Sequence, residues 1–184
     1  MTALASRSQL RMSFLRYALF TVPLVLLLGT LSGRIAGSGG GNAWFDSLQK
    51  PAFMPPGWVF GAAWTILYIL LGLALALILH ARGARGRGPA LALFVLQLLL
   101  NYAWSPLFFA YHEVGTAFWT IFAMILLSAA TAILFGRIRR TAGLLILPYL
   151  AWLGFAAALT WQIGALNPDA RQLAPDGSAT DIAL

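Results

Sequence analysis

The sequence predicts an all-α membrane protein, a five-transmembrane-helix bundle, and three observations predict it. Hydrophobic residues make up 60% of the 184-residue chain and charged ones only 9%, with a mean hydropathy of +0.82. A soluble domain carries about a quarter charged residues to keep its surface wet. Five apolar runs each reach the roughly 20 residues a helix needs to cross the hydrocarbon core. The arginines sit in short clusters between those runs rather than in one patch, which argues against nucleic acid as the partner of the net charge of +7. Cysteine is absent, so disulfide frameworks, Cys-ligated metals and thiol catalysis are excluded.

The elements follow in order. An N-terminal segment, 1–13, precedes a first span over Phe14 to Ile35. Arg7, Arg11 and Arg16 resemble the basic region of a signal peptide, but the apolar run is long for one and "TLSGRIAGSGGG" offers no clean small-x-small cleavage site, so the span is read as retained. The loop Ala36 to Gly57 is the one long connection. Further spans follow over Trp58 to His80, Pro89 to Phe109, Gly115 to Phe135 and Ala142 to Leu166, joined by short linkers that predict antiparallel neighbours. Pro148 falls inside the fifth run and predicts a kink or a 3₁₀ turn. The spans close a domain over 14–167. The tail, 168–184, is polar and reads as disordered.

Orientation comes from the cations. Nine arginines (7, 11, 16, 82, 85, 87, 137, 139 and 140) fall on one side of this topology, and only Arg34, Lys50 and Arg171 on the other. The positive-inside rule then puts the N-terminus in the cytoplasm and the Ala36–Gly57 loop outside, in what helical spans and the arginine bias make a bacterial inner membrane.

Conventional catalytic chemistry is scarce. No span carries a central Asp, Glu, Lys or Arg of the kind that pumps use to move charge. His112 and Glu113 are neighbours on a short loop and read as interfacial residues at a helix turn rather than an acid–base pair, and His80 marks the end of a span. No metal site and no required cofactor are expected.

Aromatic residues are plentiful: seven Trp, twelve Phe and five Tyr. Gly61, Trp64, Tyr68 and Gly72 share one face of the second span, and Gln97, Asn101, Trp104 and Phe108 one face of the third. Trp152, Phe155, Ala156 and Leu159 form a stripe on the fifth. Each stripe alone is ordinary helix packing. Together, with amides that should turn away from lipid, they predict an intramembrane pocket for a large flat molecule. For Asn101 an interhelical hydrogen bond is the competing reading. Pro51, Pro55 and Pro56 stiffen the loop before the second span into a cap for that pocket. Trp44 and Trp58 belong to the interfacial belt or to that loop. The pairs Gly29/Gly33 and Gly88/Ala92 are small-xxx-small motifs that would let a second copy approach closely.

Three blocks carry a family resemblance: "WFDSLQKPAFMPPGWVFGAAWTILY" (Trp44 to Tyr68), "QLLLNYAWSPLFF" (Gln97 to Phe109) and "LPYLAWLGFAAALTWQIGALN" (Leu147 to Asn167). With the five-span count they resemble the TspO/MBR family, the tryptophan-rich sensory proteins of bacteria and the mitochondrial translocator or peripheral-type benzodiazepine receptor. The resemblance implies a five-helix bundle, often a homodimer, with a ligand cavity under the first outer loop. It implies tetrapyrrole ligands (protoporphyrin IX or haem) and roles in tetrapyrrole transport, sensing or regulation of tetrapyrrole metabolism. Sterols and benzodiazepine-type drugs bind other members. Trp64 and Trp152 match cavity tryptophans of the family, Ala156 a small residue that influences sterol and drug binding, and Asn101 and Trp104 its third-span motif. Some bacterial members degrade protoporphyrin in light, which would make Trp64 and Trp152 redox participants and the protein an enzyme. A structural subunit whose aromatics only pack helices is the third reading. Two departures stand out. Gly61-Ala62-Ala63-Trp64 lacks the proline many members carry, and Tyr149 has no basic residue close behind it, which argues against tight sterol binding.

Overall fold

A computed structural model describes residues 7–173. The described chain is helical without a strand: α1 (Arg7–Ile35), α2 (Ala43–Ser47), α3 (Gly57–His80), α4 (Arg87–Ser105), α5 (Val114–Ile138), α6 (Arg140–Leu144) and α7 (Leu147–Leu166). Five stretches are long and apolar enough to cross a membrane: Met12–Ile35, Gly57–His80, Arg87–Ala110, Val114–Ile138 and Arg140–Leu166. The five-helix membrane bundle is the observed fold.

Several boundaries differ for physical reasons. The first helix starts at Arg7, inside the expected N-terminal segment, because Arg, Gln, Leu and Met sustain a helix beyond the apolar run. The fifth span is two helices. A turn at Leu145 and Ile146 separates α6 from α7, and Pro148 sits in the first turn of α7, where its missing N–H costs nothing. The proline therefore starts a helix rather than kinking one. At the end of α4 the chain widens into a π-helical turn, Pro106–Ala110. Pro106 cannot donate to the Tyr102 carbonyl one turn back, and the Ser32 hydroxyl of α1 donates to that carbonyl instead. The Tyr102 hydroxyl returns a bond to the Val25 carbonyl at 3.0 Å, so α1 and α4 are tied at two points.

Short linkers make sequence neighbours antiparallel, but the closest partner of α3 is α1, not α4. A Cβ built on Gly72 would lie 2.6 Å from the Val22 Cα, so only glycine permits this crossing. Thr21 fastens it, donating to the Gly72 carbonyl at 2.8 Å. On the other side α5 packs against α4, α6 and α7. The Phe94 and Phe135 rings stack at 5.4 Å, and the Ser128 hydroxyl donates to the Gln97 side-chain carbonyl at 3.3 Å. Gly143 of α6 lies against Gly136 of α5 so closely that a Cβ on Gly143 would meet the Ala132 carbonyl oxygen at 2.6 Å. Contacts from α3 to α4, α5 and α7 are sparse, because space intervenes.

Beyond α7, Asn167 to Leu173 form turns that pack back on the bundle, so order extends past the expected start of the tail. Asn167 explains it. Its carbonyl accepts from the Gln49 N–H at 2.8 Å, and its amide donates to the Gln49 carbonyl at 2.9 Å and the Ile163 carbonyl at 2.8 Å. The remaining tail and residues 1–6 lie outside the described residues.

Candidate functional site

A cavity of about 540 Å³ lies within the bundle, beneath the loop between α1 and α3. Its walls come from α3 (Trp64, Tyr68), α4 and its π-turn (Asn101, Trp104, Phe108), and α7 (Trp152, Ala156). Phe45, Met54 and Pro55 contribute from the loop. Exposed lining residues Thr30 and Arg34 on α1, and Gly57, Gly61 and Thr65 on α3, place its opening between those two helices.

The inner boundary is a polar layer. The Tyr68 hydroxyl donates to the Asn101 carbonyl at 2.9 Å, and the Asn101 amide donates to the Tyr149 hydroxyl at 3.1 Å. Asn101 thus joins α3, α4 and α7 while facing the cavity, so the hydrogen-bond reading and the lining reading are both met. Among the described residues no buried side-chain polar atom lacks a partner. Gly29 sits directly over the Tyr68 ring, leaving no room for a side chain on α1.

Aromatic geometry shapes the space above. Trp64 stacks on Tyr68 at 5.2 Å and 27°, and meets Trp152 edge to face at 6.4 Å and 81°. Phe60 meets Trp152 at 5.8 Å, and Trp104 stacks on Phe108 at 5.1 Å. The Trp104 N–H is committed to the Ala117 carbonyl at 3.2 Å. The indole N–H groups of Trp64 and Trp152 make no hydrogen bond to the described protein and are not sealed from solvent. They are donors available to a ligand.

Seven of the twelve expected pocket residues therefore line one cavity: Trp64, Tyr68, Asn101, Trp104, Phe108, Trp152 and Ala156. Five do not. Gln97 is buried one turn deeper and bonds to Ser128 of α5. Phe155 turns toward Phe53, 6.3 Å away. Trp58 is 74% exposed on the outside of α3, as a belt residue is. Pro51 is buried in the loop away from the cavity. Trp44 is 2% exposed and pins the loop from behind: its N–H donates to the Ala170 carbonyl at 2.6 Å and its ring lies 4.3 Å from the His112 ring. His112 and His80 both stand away from the cavity. Burial pushes the His112 imidazole below its ordinary value, against a backbone hydrogen bond at Phe109 that raises it.

Sequence reasoning missed Gly29 and Gly33, read as a contact for a second copy. Both line this cavity, with Gly29 against the Tyr68 ring and Gly33 beside Ser38. It also missed Phe60, Ile121 and Met124, apolar positions with no local mark to set them apart.

The sequence matches the family model described as TspO/MBR family over residues 21–166. It is 40% identical over 133 residues to the tryptophan-rich sensory protein of Cereibacter sphaeroides, covering 71% of this chain and 82% of that one. It is 34% identical over 136 residues to Protein CrtK of Rhodobacter capsulatus, covering 69% and 80%. To the translocator protein of Ovis aries it is 38% identical over 135 residues, covering 72% and 80%.

Proposed function

The chain belongs to the TspO/MBR family, and from that premise we propose that it binds a tetrapyrrole, protoporphyrin IX or haem, in the cavity under its long loop and acts in tetrapyrrole transport, sensing or regulation of tetrapyrrole metabolism. One observation carries the reading. A space of about 540 Å³ is walled by indole and phenyl side chains, among them Trp64 and Trp152, whose N–H groups make no hydrogen bond to the described protein. Ligand pockets fall in the range of about 300–1,000 Å³, apolar with a few convergent polar groups. Flat conjugated rings stack on indoles, and N–H donors meet polar ring edges. In this reading the protein sits in a bacterial inner membrane with its N-terminus in the cytoplasm, and a ligand enters between α1 and α3.

Protoporphyrin IX titrated in the dark into the protein in nanodiscs, followed by tryptophan quenching, tests this. Saturable binding is expected, weakened about threefold to tenfold by Trp64→Phe or Trp152→Phe. Absence of saturation in the wild type would overturn the reading and leave the aromatics a packing role. A second reading rests on the same two indoles, whose ring centroids are 6.4 Å apart. If illumination destroys many porphyrins per protein, and the tryptophan variants do not, the site is a photochemical enzyme.

A further inference from the structure

The described carboxylates, Asp46, Glu113 and Asp169, all lie at the loop end of the bundle. The opposite end carries arginines and no described acid. Arg16, Arg82, Arg85, Arg137, Arg139 and Arg140 stand exposed there, and none forms an ion pair among the described residues. One of them is fixed in place. Arg82 lies just past the end of α3, and its Nε–H and Nη2–H groups donate to the Tyr17 hydroxyl of α1 at 3.0 and 2.6 Å. The Tyr17 ring meets the His80 ring edge to face, with centroids 6.4 Å apart, so the acceptor is itself held. A phenol orients a guanidinium without cancelling its charge. Accepting twice leaves the hydroxyl its own proton to donate. That proton and the Nη1 group of Arg82 find no acceptor among the described residues. Arg87 differs, because its Nε and Nη2 groups are committed to the Ile78 and Leu79 carbonyls that end α3, at 3.0 Å each.

Position selects the kind of anion. Tyr17 stands in the second turn of the apolar stretch Met12–Ile35, and Leu19 and Phe20, just along α1, are exposed on the surface that meets lipid. We propose that Tyr17 and Arg82 form a headgroup site for an anionic phospholipid. The phosphate accepts from Nη1 of Arg82 and from the Tyr17 hydroxyl, Arg16 and Arg85 add charge, and the acyl chains lie along Leu19 and Phe20. Guanidinium forks match phosphate oxygens, and basic groups between transmembrane helices at the membrane surface suit such headgroups. A water-soluble phosphate ester offers the same oxygens but nothing to cover Leu19 and Phe20. Neither Tyr17 nor Arg82 lines the cavity, so the site stands independently of what the cavity binds.

The experiment titrates dioleoyl phosphatidylglycerol and dioleoyl phosphatidylcholine separately into the full chain in a neutral detergent and counts bound lipid by native mass spectrometry. The first phosphatidylglycerol should bind about fivefold tighter than the first phosphatidylcholine. Arg82→Gln should remove most of that preference. Tyr17→Phe keeps the net charge and should still reduce the preference, by about threefold. Arg137→Gln removes the same charge from α5 and should leave it nearly unchanged. Phosphatidylcholine binding, equal in all three variants, reports an intact bundle. Equal binding of the two lipids by the wild type overturns the proposal, and so does a Tyr17 or Arg82 variant that weakens both lipids alike. An Arg137→Gln effect as large as that of Arg82→Gln, with Tyr17→Phe silent, would show diffuse charge and no site. Glycerophosphoglycerol, the same headgroup without acyl chains, should fail to displace the lipid in millimolar excess. Displacement would make this a site for soluble phosphate esters and overturn the lipid assignment.

Discussion

The two ends of this bundle are built from the same helices and come out opposite in kind. At the arginine-bearing end the interior is filled. Leu71, Ile78, Ala90, Phe94, Phe135, Ala142 and Ile146 are all buried in one cluster. At the loop-bearing end Trp64, Trp104 and Trp152 are only partly buried although they point inward, and about 540 Å³ stays open between them. In lipid no hydrophobic gain pulls helices together, so their spacing is set by what side chains allow. Glycine and alanine at the crossings bring backbones close at the filled end. At the other end broad rings, each set against the next, hold the helices apart. A cavity in such a protein is a consequence of side-chain shape, and it persists without strain because closing it would gain little.

The largest effect is expected where the filled end is tightest. A Cβ on Gly143 would stand 2.6 Å from the Ala132 carbonyl oxygen and 2.8 Å from the Gly136 Cα, both backbone atoms that cannot turn aside. Gly143→Val should cost about 3 kcal/mol or more, read as a lowered thermal midpoint in detergent. Gly136→Ala, whose new methyl would meet the Gly143 Cα at an ordinary 4.0 Å, should be close to neutral. Equal stability of the two variants would mean that α5 and α6 do not approach as described, and the contrast between the ends would lose its filled half.

The boundary between the halves comes next. Asn101 holds Tyr68 and Tyr149 in one chain of hydrogen bonds across α3, α4 and α7. Asn101→Leu deletes both bonds and should cost about 1–2 kcal/mol, since such bonds within membranes average near 0.6 kcal/mol and the freed hydroxyls lose their partners. Tyr68→Phe removes one bond and should cost less. An Asn101→Leu variant as stable as the wild type would show that ring packing alone fixes the floor of the cavity.

What the sequence revealed follows the same division. The spans were legible because a membrane demands length and apolarity, and both are local properties. Periodicity assigned Trp64 and Tyr68, and Asn101, Trp104 and Phe108, to inward faces that do meet. A face gives direction around a helix, not the neighbour at a given depth. Gln97 shares the face of Asn101 yet lies one turn deeper, where α5 has closed in and Ser128 takes its carbonyl. Gly29 signalled close approach correctly, but nothing local said that the approaching group would be the chain's own Tyr68. Pro148 signalled a break within the fifth span but not which side of it the helix resumes. Trp44 is held by Ala170, far along the chain, so no window of sequence contains the contact.

The smallest expected effect concerns how the loop end is fastened, and it depends on pH. His112 occupies the left-handed region at φ 57 in the turn between α4 and α5, with its ring 4.3 Å from that of Trp44. The charged groups beside it are Glu113 and, through the ion pair, Arg171. Burial lowers the pKa of the folded imidazole below the ordinary 6.5, so the unfolded chain takes up this proton first on acidification. Stability from this group is therefore full above 6.5 and declines as the pH falls toward the lower folded value. The side chain is only half-buried, so the slope is shallow. Thermal midpoints taken between about pH 7.5 and 5.5 should fall slightly in the wild type and stay flatter in His112→Gln. Identical slopes in both would place the acid sensitivity elsewhere. A wild-type slope that vanishes in the variant would locate it at the Trp44–His112 contact, where the hollow end is held to the loop and the filled end takes no part.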